Sequence, residues 1–303
     1  MSAVPCVAPP VVPTASPLVS SGVCHGTLGE LFQGPMTRHG ERAIALVSFP
    51  VDRHAWAYFT PDGGSARPRP AFPKSARAVE LFLWHYGIEL PAGTWSTHSE
   101  LTVGVGMASS TADIVATLRC LFRFTGIRYD QAVVIKILAA IERADSVFLD
   151  EFALYLSARH EVVRTLGARV GFHTCFVSAG AAVDTAGVTP LLLEHYAAHD
   201  KSYVDCLGEL LAGFSAGDHA RIARASTHSA TLSQKVLPKD GFAEVLAQRR
   251  RFGADGIFVA HTGSLLGYLF RRRPSRVLMD ELSSFFRMLG MQCSFASGGF
   301  DRA

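Results

Sequence analysis

The sequence predicts an α+β fold, and three features carry that prediction. Stretches such as HAWAYF (54–59) alternate apolar and polar residues as half-buried strands do. Ile114, Val115, Leu118, Leu121 and Phe122 instead fall at i, i+1, i+4, i+7 and i+8, the stripe of a helix packed on a core. The two kinds of segment follow one another without the regular unit of a doubly wound sheet.

In chain order, residues 23–32 and 43–47 are predicted strands around the Gly34-Pro35 turn, and 54–59 is a third. Residues 61–73 form a loop by composition, and Ser75 opens a helix marked by Val79, Leu81, Phe82 and Trp84. Residues 95–103 return to strand character. A helix runs from about Ser110 to Gly126, and Val133, Val134, Ile137, Leu138 and Ile141 carry a second to Glu142. The stretch 168–180 reads as a strand. Helices follow near 203–214, 219–232 and 242–252, then a tight unit at 256–261 and 265–270, a helix at 277–289 and a strand at 292–296.

With 303 residues, 49% of them hydrophobic, the chain can fill one large domain or two average ones, and two are predicted. A formal charge of +3 is too small to imply a nucleic-acid or membrane partner. Six cysteines without C-x-x-C spacing suggest neither zinc nor a disulfide framework and fit a reducing cytoplasm. HYAAH (195–199) lacks the glutamate of a zinc-protease motif, and His261 reads as a packed histidine. Residues 1–20, broken by prolines and without a basic start, read as a flexible tail rather than a secretory signal.

The stretch VGVGMASSTAD (103–113) carries the chemistry. Glycines let a backbone approach a ligand, and a helix that begins there aims N–H groups and a positive dipole end outward, an arrangement suited to phosphate. It is neither a Walker A loop, which needs Lys-Ser/Thr, nor a dinucleotide fingerprint, because Ser109 stands where the third glycine belongs. Without a ligand it would be a plain helix start capped by Ser109 or Ser110.

Read with its neighbours, this segment resembles the central P-x-x-x-G-L-G-S-S-A signature of the GHMP kinases, and within them the L-threonine kinases of cobalamin synthesis. GTLGELFQG (26–34), IERADSVF (141–148) and VAHTGSLLGYLF (259–270) are similar to further motifs of that subfamily in the right order, with a weaker match at 183–185. Val105 stands where the subfamily often has Lys, and Arg143-Ala144 replace its Pro-Thr.

The resemblance implies a two-domain fold, an N-terminal ATP-binding domain over 21–168, of the ribosomal protein S5 domain 2-like type, and a ferredoxin-like C-terminal domain over 169–303. It implies ATP as phosphoryl donor and Mg2+ as cofactor. Gly104, Gly106, Met107, Ala108, Ser109, Ser110 and Thr111 would cradle the phosphates. Ser110 and Glu142 would hold the metal, and Asp145 would orient the acceptor hydroxyl and take its proton. On a helix, residues 142 and 145 would share one face, about 5 Å apart along the axis. A plainer reading makes Asp145 the cap of a short helix over 146–156. Glu30 and Gln33 would line the acceptor pocket, with Thr27 or His25 nearby, while Gly263, Ser264 and Gly267 would support the phosphate turn and leave space for substrate, Gly263 and Ser264 counting with the substrate-binding residues.

The function implied is phosphorylation of the side-chain hydroxyl of L-threonine or a similar hydroxy amino acid or amino alcohol. Two alternatives stay open: a homoserine-kinase-like enzyme, and a non-catalytic ligand-binding or regulatory protein of the same fold. Retention of Ser110, Glu142 and Asp145 together favours catalysis. Oligomeric state is not legible in the sequence.

Overall fold

A computed structural model of the chain describes residues 19–62, 69–179 and 185–301. All but the last two residues of the predicted tail, and positions 183 and 184 of the weaker match, lie outside them. The chain begins with a long antiparallel hairpin, β1 (Ser20–Arg38) and β2 (Glu41–Pro61). Its turn is at His39-Gly40, where φ is +53° and +78°, values suited to a two-residue hairpin loop. The predicted turn at Gly34-Pro35 is instead paired strand, opposite Ala45 and Ile44. Gly34 is needed there for close packing, since a Cβ would stand 2.6 Å from the Phe32 ring and 2.7 Å from that of Tyr203.

The chain then forms α1 (Pro73–Tyr86), β3 (Gly93–Ser99), α2 (Ser109–Thr125) and α3 (Gln131–Ala139), followed by β4 (Phe152–Leu156) and β5 (Glu161–Gly167). Glycines in left-handed conformation end α1 and α2 at Gly87 and Gly126. Asp130 caps α3 by accepting from the N–H groups of Ala132 and Val133. Its last regular residue is Ala139, so the helix predicted to reach Glu142 stops short. Glu142 hangs on its final turn by an N–H bond to the Leu138 carbonyl, and Asp145 lies in irregular chain. The two acids therefore do not share a helix face, and no helix begins at Ser146. Phe152, Ala153, Leu154, Tyr155 and Leu156 are all buried between β2 and β5, so burial on both faces overrides their helix-compatible composition.

The remaining elements are β6 (Gly171–Ser178), α4 (Thr185–Ala198), α5 (Asp200–Ala216), α6 (His219–Ser233), α7 (Phe242–Gln248), β7 (Gly256–Val259), β8 (Leu265–Phe270), α8 (Arg276–Met288) and β9 (Ser294–Gly299). Helix α4 escaped the sequence reading because Pro190 lies inside it. The described strands form one antiparallel sheet in the order β1-β7-β8-β6-β9-β2-β4-β5, with β3 on β2. Strands β6 to β9 join the first hairpin through only two residue pairs, Glu30 with Val259 and Val51 with Gly298. The first of these seams brings the GTLGELFQG and VAHTGS segments together.

One apolar core runs through both halves, with Leu28, Phe32 and Phe49 packed in the same cluster as Phe172 and Phe258. A second lies beneath α7 and α8, around Val245, Tyr268, Phe285 and Phe286. Among the described residues no helix is long and apolar enough to cross a membrane.

Candidate active site

The glycine-serine turn joins β3 to α2, and three of its residues have positive φ: Gly104 (+80°), Gly106 (+102°) and Ala108 (+54°). Ala108, not a serine, is the N-cap, and no side chain caps the helix. Ser109 is already its first residue. An α-helix leaves its first N–H groups without intrahelical acceptors, so this end presents bare amides.

The turn is tied from behind through its carbonyls. The Val105 carbonyl accepts from the N–H groups of Ser264 (2.9 Å) and Leu265 (3.2 Å). Gly106 O accepts from Gly29 N–H (3.1 Å) and from the Thr27 hydroxyl (3.2 Å), and Met107 O accepts from Thr27 N–H (3.0 Å). In a trans peptide the N–H points opposite to the C=O before it, so three anchored carbonyls aim the amides of Gly106, Met107 and Ala108 away from the protein. That is the geometry of an anion nest.

The same contacts bear on three residues assigned to the acceptor side, of which Gly263 and Ser264 are also expected to support the turn. Thr27 is 1% exposed beneath the turn, and Ser264, 2% exposed, shares a 2.7 Å hydrogen bond with the Ser178 hydroxyl. Gly263 backs directly onto the turn, where a Cβ would come within 2.4 Å of the Val105 oxygen. These three support the nest and do not line the cavity. His25 is also spoken for, its ring nitrogens lying near the carbonyls of Gly26 and Leu149.

Beside the turn lies a cavity of about 670 Å³ whose walls include Glu30, Gln33, Lys74, Glu142, Arg143 and Asp145. Glu142 accepts from Ser110 Oγ at 2.9 Å and from Thr111 Oγ1 at 2.8 Å, and it pairs with the Lys74 ammonium reaching across from the first turn of α1. A cation thus does come near the turn, from a helix some thirty residues upstream rather than from position 105. Asp145 accepts a long hydrogen bond from the Ser48 hydroxyl, 3.4 Å. Burial, reinforced by the Glu30 carboxylate, pushes its carboxyl up to about 7, against the opposing pull of Arg143. Burial and Glu142 likewise push Asp113, the fifth residue of α2, up to about 6.

Glu30 is 7% exposed and accepts the backbone N–H of His261 at 2.9 Å, with His261 Nδ1 3.0 Å from the same oxygen. His261 Nε2 lies 2.9 Å from the Ser229 hydroxyl, whose oxygen also accepts Gln33 N–H. Nδ1 donating to Glu30 and the Ser229 hydroxyl donating to Nε2 satisfies this chain throughout. Gln33 Nε2 donates to Tyr196 Oη at 2.9 Å. The Lys239 ammonium donates to the Gly263 carbonyl at 2.7 Å, and burial lowers its pKa to about 8.

The donor set fits magnesium. Hydroxyl and carboxylate oxygens are the hard ligands that ion prefers, and the Ser110 hydroxyl and Glu142 carboxylate already lie 2.9 Å apart. No group of three or more His, Cys, Asp or Glu side chains gathers for a metal among the described residues, so phosphate oxygens and water would complete the shell. Ser110→Ala is expected to raise the magnesium concentration needed for half-maximal activity about tenfold. A magnesium titration at fixed ATP checks this, and an unchanged midpoint removes Ser110 from the metal site.

Residues 74–157, which include Lys74, the turn, Glu142 and Asp145, match the family described as GHMP kinases N terminal domain. The chain is 27% identical to an L-threonine kinase of Salmonella typhimurium, with 84% of each chain covered. It is 25% identical to an L-threonine kinase of Citrobacter freundii, covering 82% of this chain and 85% of that one. Among solved structures it resembles the homoserine kinase of Cytophaga hutchinsonii, with TM-score 0.68, 14% identity and coverage of 95% of this chain and 97% of that one. It also resembles the mevalonate kinase of Methanococcus jannaschii, with TM-score 0.69, 11% identity and coverage of 94% and 99%. The α+β architecture predicted from the sequence is thus the fold found in these two kinase structures.

Lys74 and Arg143 are the charged residues lining the cavity for which the sequence suggested no role, and Tyr196 joins the site only through its bond to Gln33. Lys74 sits at an ordinary helix start, and only the packing of α1 against α2 carries it to Glu142.

Proposed function

We propose that this chain is an ATP-dependent kinase transferring the γ-phosphoryl group to the side-chain hydroxyl of L-threonine or a similar hydroxy amino acid or amino alcohol. One observation carries the proposal: Glu142 and Asp145 line a single cavity, and Glu142 is hydrogen-bonded to Ser110 and Thr111 at the helix start that follows the turn's outward-facing amides.

The amides of Gly106 to Ser110 and the dipole of α2 would take the negative charge of the phosphates, and Lys74 adds a mobile cation at the rim. Magnesium held by Ser110 and Glu142 would neutralise charge that grows on the bridging oxygen. The acceptor oxygen bonds to the γ-phosphorus while the bond to that bridging oxygen breaks, releasing ADP. The hydroxyl proton passes to an Asp145 oxygen and then to solvent. A carboxyl raised to about 7 suits this work, being substantially ionised at neutral pH yet more basic than an ordinary aspartate. Fixed donors and position supply most of the effect, because phosphoryl transfer has a loose transition state.

The test is ADP release with L-threonine, L-serine, L-homoserine and 1-amino-2-propanol, the phosphorylated product being identified by 31P NMR. L-Threonine is expected to give the largest stimulation. If nucleotide binds and none of the four raises turnover above background, a non-catalytic binding protein becomes the better description. If L-homoserine leads, the acceptor assignment falls while the kinase stands.

A further inference from the structure

Resting on the kinase reading above, we infer that Arg143 binds the carboxylate of the acceptor, so that the enzyme requires a hydroxy acid rather than an alcohol alone.

Three acids and two cations line the cavity, and each of the five side chains is engaged by a protein group. Glu142 has Lys74, Ser110 and Thr111; Glu30 has His261; Asp145 has Ser48. Arg143 is different. Its Nε donates to the neutral hydroxyl of Ser157 at 2.7 Å, and it pairs with no carboxylate among the described residues. Ser157, 2% exposed at the end of β4, is itself held by the core, so the bond fixes the plane of the guanidinium. The two terminal nitrogens remain to act as a fork, and the adjoining wall is apolar, formed by Leu46, Ala144 and Ala158.

A half-buried guanidinium that no carboxylate among the described residues contacts directly, and whose orientation is fixed, matches a carboxylate through two parallel hydrogen bonds. Its position fits the chemistry. Arg143 and Asp145 are two residues apart and line the same cavity, and in a β-hydroxy acid the carboxylate and hydroxyl are separated by two carbon–carbon bonds, about 3 Å. A single small molecule can therefore place its hydroxyl at Asp145 and its carboxylate at Arg143. Glu30 and Asp145 add negative potential nearby, which suits the ammonium of a zwitterion.

The experiment compares L-threonine with 1-amino-2-propanol, its decarboxylated analogue, in wild type, Arg143→Gln and Arg143→Lys. It measures kcat and KM for each acceptor and Kd for ATP, with melting curves to establish folding. Wild type is expected to favour L-threonine about a hundredfold in kcat/KM. Arg143→Gln should erase most of that preference through a raised KM for L-threonine, change the amino alcohol less than about threefold and leave ATP affinity unchanged. Arg143→Lys should restore part of it, because the charge returns without the fork. Persistence of the full preference in Arg143→Gln, or an equal loss for both acceptors, overturns the assignment. Failure of wild type to phosphorylate either compound removes the acceptor assignment and this inference together, and failure with all four acceptors removes the kinase reading as well; both outcomes are visible before any variant is made.

Discussion

Asp145→Asn is expected to lower kcat about a hundredfold while leaving ATP affinity nearly unchanged. The side chain lines the cavity, and none of the bonds that anchor the turn involves it. Removing its basicity should therefore affect proton transfer and hydroxyl orientation, not nucleotide binding. Wild-type activity should rise with pH through about 7 as the carboxyl ionises, and Asp145→Asn should lack that limb. Unimpaired turnover in the variant would take Asp145 out of the mechanism.

The same substitution has an opposite effect on stability. Burial pushes the folded carboxyl up to about 7 from an ordinary 3.8, so the native state binds the proton more tightly than the unfolded chain does. Stability associated with this group is complete below about pH 3.8 and is lost as pH rises through about 7. Asp145→Asn should accordingly melt above wild type at pH 8, with the gap closing towards pH 4. Thermal melts at the two pH values measure this, and a gap independent of pH would refute the burial argument.

Gly106→Ala should reduce ATP affinity at least tenfold and lower the melting temperature. The backbone there has φ of +102°, outside the range an L side chain accepts readily, and an added Cβ would lie 2.4 Å from the Ala260 Cβ. Relief would move the turn away from the β7–β8 connection and break the alignment of Val105 with Ser264 and Leu265, costing about 1–3 kcal/mol. Gly126→Ala is the control. It shares a positive φ, +69°, at the opposite end of α2, but an added Cβ meets nothing within 4 Å. It should cost about 1 kcal/mol of stability and leave nucleotide affinity as it was. Equal effects of the two on ATP binding would mean that backbone strain alone, not the packing behind the turn, sets affinity.

What could be read from the sequence is what local chemistry dictates. The glycines of the turn, the apolar stripe of α2 and the acids Glu142 and Asp145 announce themselves by residue type and by neighbours within a few positions. The shared helical face for those acids did not materialise, because the periodic pattern ending at Ile141 outlasts the regular helix by two residues. Strand β4 was hidden by residues equally at home in a helix, and α4 by its internal proline. The remaining site features are tertiary. Glu30 meets His261 only where β1 pairs with β7, Lys74 reaches Glu142 between two helices, and Thr27 supports the turn because the β1 bulge carries its N–H to Met107.

The most direct measurement is a crystal structure with AMP-PNP, magnesium and L-threonine bound together. The phosphates should lie over the amides of residues 106–110, with the threonine hydroxyl within hydrogen-bonding distance of Asp145 and in line with the γ-phosphorus. A triphosphate bound away from the turn, or an acceptor hydroxyl out of reach of Asp145 in a filled site, would contradict the account.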